Sequence, residues 1–363
     1  MANKSHEPLI KVTKNDAMPP LKAWAIRLIC ILAALVVCAV VIVCITGQNP
    51  IEVYVAMFKG SFGTKRKVWT MLKETAILLS IALAVTPAFK MRFWNTGAEG
   101  QVLMGALATA ACMIMGKSLS TITVIIISVI MSMLAGVIWG VIPAFFKAKW
   151  NTNETLFTLM LNYIAMQIVS YCIIFWENPA GSNKVGIINP DSNVGWLPSV
   201  FGQQYFISIV VVVAITVFMF VYLKYSKHGY EISVVGESEN TAKYIGINVK
   251  KVIIRTMALS GALCGLTGFL LVSGSGHTIA SDTAGGQGFT AIMVSWLAKF
   301  NPFVMMLTSF LLIFLSRGAS EIAMTFRLNE SVSDIVSGII LFFIIGSEFF
   351  INYKISLRKS HKA

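Results

Sequence analysis

Ten apolar stretches, most of them near twenty residues long, run through this chain at about 24–46, 69–89, 95–116, 119–146, 155–176, 204–223, 252–272, 288–299, 302–316 and 331–350. Roughly 20 apolar residues are what a helix needs to cross the ~30 Å hydrocarbon core of a bilayer. Inside that core every backbone N–H and C=O must be bonded within the protein, so only helices and closed barrels can span it. Runs this long and this evenly apolar do not alternate as barrel strands do. The expected fold is therefore an all-α polytopic membrane protein with about ten transmembrane helices, within a range of 8–10. The stretches at 288–299 and 302–316 are short for a full crossing and are expected to be tilted, broken or re-entrant.

Charge supports the same class. Only 12% of the residues are charged, about half the ~25% of a soluble domain. The formal net charge of +13 is read as a topology signal, not as a nucleic-acid footprint. If both termini are cytoplasmic, most of the 29 Lys and Arg residues fall on that side, as the positive-inside rule and anionic lipid favour. The exception is the cluster Lys59, Lys65, Arg66 and Lys67, whose segment 50–68 is expected to lie along a membrane surface. The organisation is a cytoplasmic tail at 1–23, a transmembrane domain at 24–350 with a cytoplasmic loop at 224–251, and a cytoplasmic tail at 351–363. The first apolar run is too long for the core of a cleavable signal and is expected to be retained.

Catalytic and metal chemistry find little support. The six cysteines all lie in predicted spans without a CxxC pair, so neither a disulfide framework nor a zinc site is expected. The four histidines, His6, His228, His277 and His361, have no partner at ligand spacing. Residues 111–118, ACMIMGKS, fit a loose Walker A pattern. They end an apolar helix and follow no strand, so no phosphate loop is expected there. The intramembrane carboxylates Glu99, Asp334 and Glu348 form no evident pair, and structural roles are expected for the last two.

One segment is out of character. Residues 93–101, FWNTGAEGQ, place two glycines, two amides and a carboxylate between the apolar runs 77–89 and 102–115. Irregular backbone at membrane depth is tolerated only where protein buries it or where it lines a wet cavity, and a carboxylate there by default marks a functional site. The tetrad Ala98-Glu99-Gly100-Gln101 has a weak echo in Ala284-Gly285-Gly286-Gln287, each leading into an apolar helix. Paired, glycine-interrupted segments are the best sequence pointer to a transporter's binding site, so two weak internal repeats are expected. Trp94, Asn95, Gln101, Asn162, Gln287 and Phe289 are the candidate substrate contacts. Amides offer donors and acceptors and aromatic faces offer stacking, which suits an uncharged, flat, polar ligand such as a nucleoside or a sugar. Gly97, Glu99, Gly100, Gly285 and Gly286 are the candidate scaffold of the helix breaks, with Glu99 expected to accept backbone N–H bonds. In the 224–251 loop, residues 238–245 are helix-compatible and end at Gly246, a helix stop.

These motifs carry a resemblance. FWNTGAEGQVLMGA resembles the signature of permease subunits of bacterial ABC importers in the branched-chain amino acid/simple-sugar permease superfamily, and looks closest to the nucleoside-uptake branch. Residues 153–165, 234–247, 260–268 and 286–302 resemble four further blocks of that family, in order. The chain departs from the pattern at Thr241, where a small residue is usual, and at Trp94, where Asn is commoner. The resemblance implies a non-enzymatic subunit of the bacterial plasma membrane that binds no cofactor itself, with ATP-Mg on a separate cytoplasmic ATPase. It also implies a second permease, expected to be a paralogue in a heterodimer, and an external substrate-binding lipoprotein that delivers the nucleoside. It places ATPase coupling on Gly236, Glu237, Asn240, Ala242, Tyr244 and Gly246. Two alternatives stay open: a permease for a simple sugar or branched-chain amino acid, and an ion-coupled secondary transporter or channel with Glu99 as its coupling carboxylate.

Overall fold

A computed structural model describes residues 10–14, 18–47, 49–327 and 330–357. His6, His361 and the side chain of Asp334 lie outside what it describes. In chain order the elements are β1 (Ile10–Lys14), α1 (Pro20–Thr46), α2 (Pro50–Phe62), α3 (Lys65–Lys90), α4 (Ala98–Met115), α5 (Thr121–Trp150), α6 (Glu154–Trp176) and α7 (Phe206–Tyr225). There follow α8 (Lys227–Glu237), α9 (Glu239–Tyr244), α10 (Val249–Leu271) with a π-helical turn Val272–Gly276, α11 (Gln287–Leu297), α12 (Pro302–Thr325), α13 (Glu330–Asn352) and β2 (Tyr353–Leu357).

Helix starts follow local chemistry. Asn49, Ser120, Asn153, Ser226, Ser238 and Asn248 each turn a side-chain oxygen onto a first-turn N–H of α2, α5, α6, α8, α9 and α10, satisfying a donor that the helix itself cannot. Among the described residues, eight helices are long and apolar enough to cross a membrane. The expected spans at 288–299 and 302–316 resolve differently. The first is α11, eleven residues long, which at ~1.5 Å per residue cannot bridge the bilayer. The second is α12, 24 residues long, because the helix continues through Ser316-Arg317-Gly318, which hydropathy reads as a stop.

The chain divides into two compact units, one of Met1–Val68 with Phe314–Ala363 and one of Trp69–Ile313. In the first, α1 packs on α13. There Arg27 Nη2 meets Glu348 Oε1 at 2.5 Å, with both side chains largely shielded, so Glu348 has a structural partner. In the same unit Lys67, a member of the basic cluster, pairs with Glu321 at 2.7 Å, and the Tyr54 hydroxyl of α2 donates to the Leu35 carbonyl. β1 and β2 pair antiparallel from Ile10 opposite Leu357 to Lys14 opposite Tyr353.

The second unit is built on α4, α5 and α10, which touch backbone to backbone. A Cβ on Gly261 would meet the Gly136 carbonyl, one on Gly265 the Ser132 carbonyl, and one on Gly105 would lie 2.5 Å from Gly265 Cα. Lipid is as apolar as Leu, so helices in a membrane gain by close packing of small residues, and this three-helix contact is such a seam. It holds α4, and with it the 93–101 segment, against a rigid backdrop.

Candidate functional site

The break between α3 and α4 begins where α3 ends at Lys90 and Arg92 turns left-handed at φ 61°. Phe93 N–H returns to the Ala88 carbonyl at 2.9 Å, and Asn95 and Thr96 N–H close onto the carbonyls of Phe93 and Trp94. Side chains complete the bonding. Asn95 Oδ1 accepts from Gly97 N–H at 3.1 Å and from Gln101 Nε2 at 3.3 Å, while its amide donates to Ser260 Oγ at 3.3 Å. Asn162 of α6 reaches across, accepting from Gly100 N–H at 2.8 Å and donating to the Thr96 carbonyl at 2.8 Å. Thr158 Oγ1 accepts from Thr96 N–H at 3.2 Å. Every such bond removes a polar group from the unpaired set that lipid would penalise.

Glu99 joins this break to the second one. Its Oε1 accepts from Gly286 N–H and its Oε2 from Gly288 N–H, both at 2.8 Å. Glu99 stands in the first turn of α4, and the two donors are the N-cap and second residue of α11. Two helix N-termini, the positive ends of their dipoles, thus converge on one carboxylate that is 2% exposed.

The four break glycines serve two different ends. Gly285 and Gly286 have φ of 60° and 71°, a left-handed backbone that glycine adopts without strain. Gly97 and Gly100 do not. A Cβ on Gly97 would press on Thr158, and one on Gly100 would stand 2.9 Å from Asn162 Oδ1 and 3.1 Å from Trp139 Nε1. They are small because α5 and α6 come close.

Of the six expected substrate contacts, Asn95, Gln101 and Asn162 are brought together but buried, and all three bond within the protein. Gln101 Oε1, Gln287 Oε1 and the nearby Trp139 Nε1 are buried without a hydrogen-bond partner. Trp94 and Phe289 are exposed, at 48% and 43%. Trp94 stacks on Trp296 with centroids 5.7 Å apart and planes 23° apart, and Phe89 sets its edge against both rings. Ser260, Thr158, Trp139 and Gly288 are members of the site that sequence reasoning did not single out. Each is an ordinary helix residue until the tertiary contact is known.

The expected coupling residues lie on α8, α9 and the turn after it. Glu237, Asn240, Tyr244 and Gly246 are exposed and Gly236 and Ala242 are buried. Tyr244 is 93% exposed. Gly246, at φ 84°, closes α9, with its N–H on the Lys243 carbonyl and Ile247 N–H on the Ala242 carbonyl, the glycine-dependent helix ending. A Cβ on Gly236 would fall on the Lys90 carbonyl. The α8 helix therefore bears on the backbone three residues before the 93–101 break.

At the other end of α10, His277 stacks on Trp196 at 3.7 Å and 6°, and its Nε2 accepts from the Gln204 amide at 2.6 Å. Trp196 Nε1 in turn donates to the Ile188 carbonyl, so this ring pair ties down the 177–205 segment. Burial holds the His277 imidazole below its ordinary range. The unfolded chain then binds the proton more readily, so stability rises with pH across that interval. The contribution is full above the ordinary value near ~6.5 and is lost as pH falls through the lowered one. Limited proteolysis of 177–205 is expected to accelerate between pH 7.5 and 5 in the wild type, and this dependence is expected to vanish in His277→Phe, which keeps a stacking ring but cannot be protonated.

Comparison with known proteins adds an independent line. The family model described as branched-chain amino acid transport system, permease component, matches residues 68–345. The chain is 30% identical over 317 residues to a guanosine ABC transporter permease of Bacillus subtilis, covering 84% of this chain and 88% of the relative. It is 26% identical to a nucleoside ABC transporter permease of Lactococcus lactis, over 87% of this chain and 89% of that one. It is also 26% identical to a glucose ABC transporter permease of Haloferax volcanii, over 96% of this chain and 94% of that one.

Proposed function

The chain belongs to the family of branched-chain amino acid transport system permease components, the permease subunits of ABC transporters, and on that premise we propose that its cargo is a nucleoside. The observation that carries this reading is the near full-length similarity to permeases named for guanosine and nucleosides. The exposed Trp94–Trp296 stack supports it, since aromatic faces bind a flat base well. The full-length similarity to a glucose permease favours a sugar as the second reading.

In this reading a separate cytoplasmic ATPase holds ATP-Mg, a second permease completes the pore, a paralogue making the pair a heterodimer, and an external lipoprotein delivers the cargo. This chain binds no cofactor and has no hydrolytic role. Its tails lie in the cytoplasm; the direct pairing of β1 with β2 supports a common side for both. The exposed Asn240–Gly246 corner docks on the ATPase. Movement of that corner passes through α8 to the Lys90 backbone at Gly236, and so to the 93–101 break. Asn95, Gln101 and Asn162 hold and shape the break through their hydrogen bonds, Gln287 opens α11 beside it, and Trp94 and Phe289 present faces to the cargo. Such movement, between a state open to the outside and one open to the cytoplasm, accomplishes transport because the cargo interacts differently with the two.

The test is uptake of labelled guanosine, uridine, ribose and glucose by a strain lacking the transporter and restored with it. Saturable guanosine or uridine uptake that resists excess ribose and glucose is expected. Uptake of glucose that nucleosides do not inhibit would overturn the nucleoside reading in favour of the sugar. Uptake that persists without the ATPase but collapses with the proton gradient would point to ion coupling instead.

A further inference from the structure

Helix α6 carries two unlike faces. One, with Thr158, Leu161, Asn162, Ala165, Val169 and Ile173, is buried. The other exposes Tyr163, Gln167 and Tyr171, spaced i, i+4, i+8 and hence in one line about 12 Å long. With Ile164 and Ile168 they border a shallow hollow of about 380 Å³ whose own surface is mostly apolar, from ring faces and isoleucine side chains.

Neighbouring spans show what a lipid-facing surface looks like in this protein. The exposed large side chains along the middle of α5 include Ile126, Ile130, Leu134 and Ile138, and those of α7 include Val210, Val213, Val217 and Val221. All are hydrocarbon. The α6 line instead presents a carboxamide and a phenol at mid-span, with a second phenol toward the helix end, and polar groups facing lipid have nothing to bond. Tyr171, near the end of α6, would suit an interfacial belt; Tyr163 and Gln167, well inside the helix, would not. A tight helix–helix seam is a poor fit as well. Such seams use small residues, as α4, α5 and α10 do here, whereas this line is bulky and borders a hollow.

We infer that the Tyr163–Gln167–Tyr171 face of α6 is a wall of the aqueous translocation path, along which a nucleobase stacks on the tyrosines and bonds to the glutamine amide. The nature of the cargo rests on the nucleoside reading above; the wetness of the wall does not. The chemistry matches the cargo: two aromatic faces separated by a group that both donates and accepts. The wall is also mechanically joined to the break, because Asn162, the residue before Tyr163, holds Gly100 N–H and the Thr96 carbonyl. Displacement of the 93–101 segment would therefore turn this face.

The test uses the assembled transporter in membrane vesicles, with the native cysteines replaced and single cysteines placed by Tyr163→Cys, Gln167→Cys and Tyr171→Cys. Ile130→Cys and Val213→Cys serve as lipid-facing controls. A membrane-impermeant thiol reagent needs an ionised thiol in water, so the three wall positions are expected to react at least about tenfold faster than the controls. Saturating guanosine or uridine is expected to slow them. Gln167→Leu, with its packing volume kept, is expected to raise the KM for nucleosides while leaving the amount of inserted protein unchanged. Reaction no faster than the controls would overturn the proposal, as would cross-linking of the wall cysteines to the second permease regardless of cargo. Fast labelling slowed by glucose or ribose but not by nucleosides would leave the wall standing and sink the nucleoside reading alone.

Discussion

Glu99→Gln is expected to lower the yield and thermal stability of the folded protein and to reduce uptake of every cargo in parallel. Its two oxygens accept from Gly286 and Gly288 N–H, so the carboxylate is the clasp between the break before α4 and the break before α11. An amide has one acceptor oxygen and one NH2 group. Whichever way it turns, one of the two glycine N–H groups then faces another donor. A hydrogen bond to a charged acceptor contributes about 1.5–3 kcal/mol, and that is the expected loss for Gln. Glu99→Ala removes both bonds and should cost more, about 3–6 kcal/mol if the two losses add. The measurements are the unfolding midpoint in detergent and the ratio of guanosine to uridine to sugar uptake. An altered ratio with unaltered stability would show that Glu99 touches cargo and would overturn the clasp assignment.

Gly265→Leu is expected to abolish the folded second unit. A Cβ there falls on the Ser132 carbonyl, a backbone atom that cannot swing aside as a side chain would. Overpacking a core typically costs about 1–3 kcal/mol; here α10 and α5 must separate along their backbone contact, and the expected cost is at or above the top of that range. Gly338→Leu is the matched control, since nothing lies within 4 Å of a Cβ at that position and surface changes of this kind stay within about 0.5 kcal/mol. Equal expression and equal melting of the two variants would mean that the α4–α5–α10 seam does not carry the fold.

Much of the architecture is legible in the chain because lipid imposes a simple rule on composition. Length and apolarity mark the spans, and Ser120, Asn153, Ser226, Ser238 and Asn248 mark helix starts by a bond to a neighbour three residues on. Gly246 marks the end of α9 for the same local reason. Hydropathy locates the short α11 but ends α12 too early, because it scores side chains, whereas a helix extends as long as its backbone is bonded.

The candidate site divides along the same line. The oddness of FWNTGAEGQ, the cost of Glu99 at membrane depth and its echo before α11 are all visible in the sequence, because each is a local conflict with an apolar setting. That Glu99 reaches Gly286 and Gly288, nearly 190 positions away, is not visible. Nor is it visible that Asn95, Gln101 and Asn162 bond to protein groups, or that Gly97 and Gly100 are small from crowding while Gly285 and Gly286 need their left-handed φ. The two faces of α6 are equally hidden, since Asn162 and Tyr163 are adjacent letters that helical geometry turns in different directions. By itself the sequence determined that this chain spans a membrane as helices and where those helices are interrupted, because burial in lipid and local capping act on each residue where it stands. Only the tertiary structure decided which polar groups are already satisfied and which remain open to a cargo, because that depends on partners that folding brings from the far side of the chain.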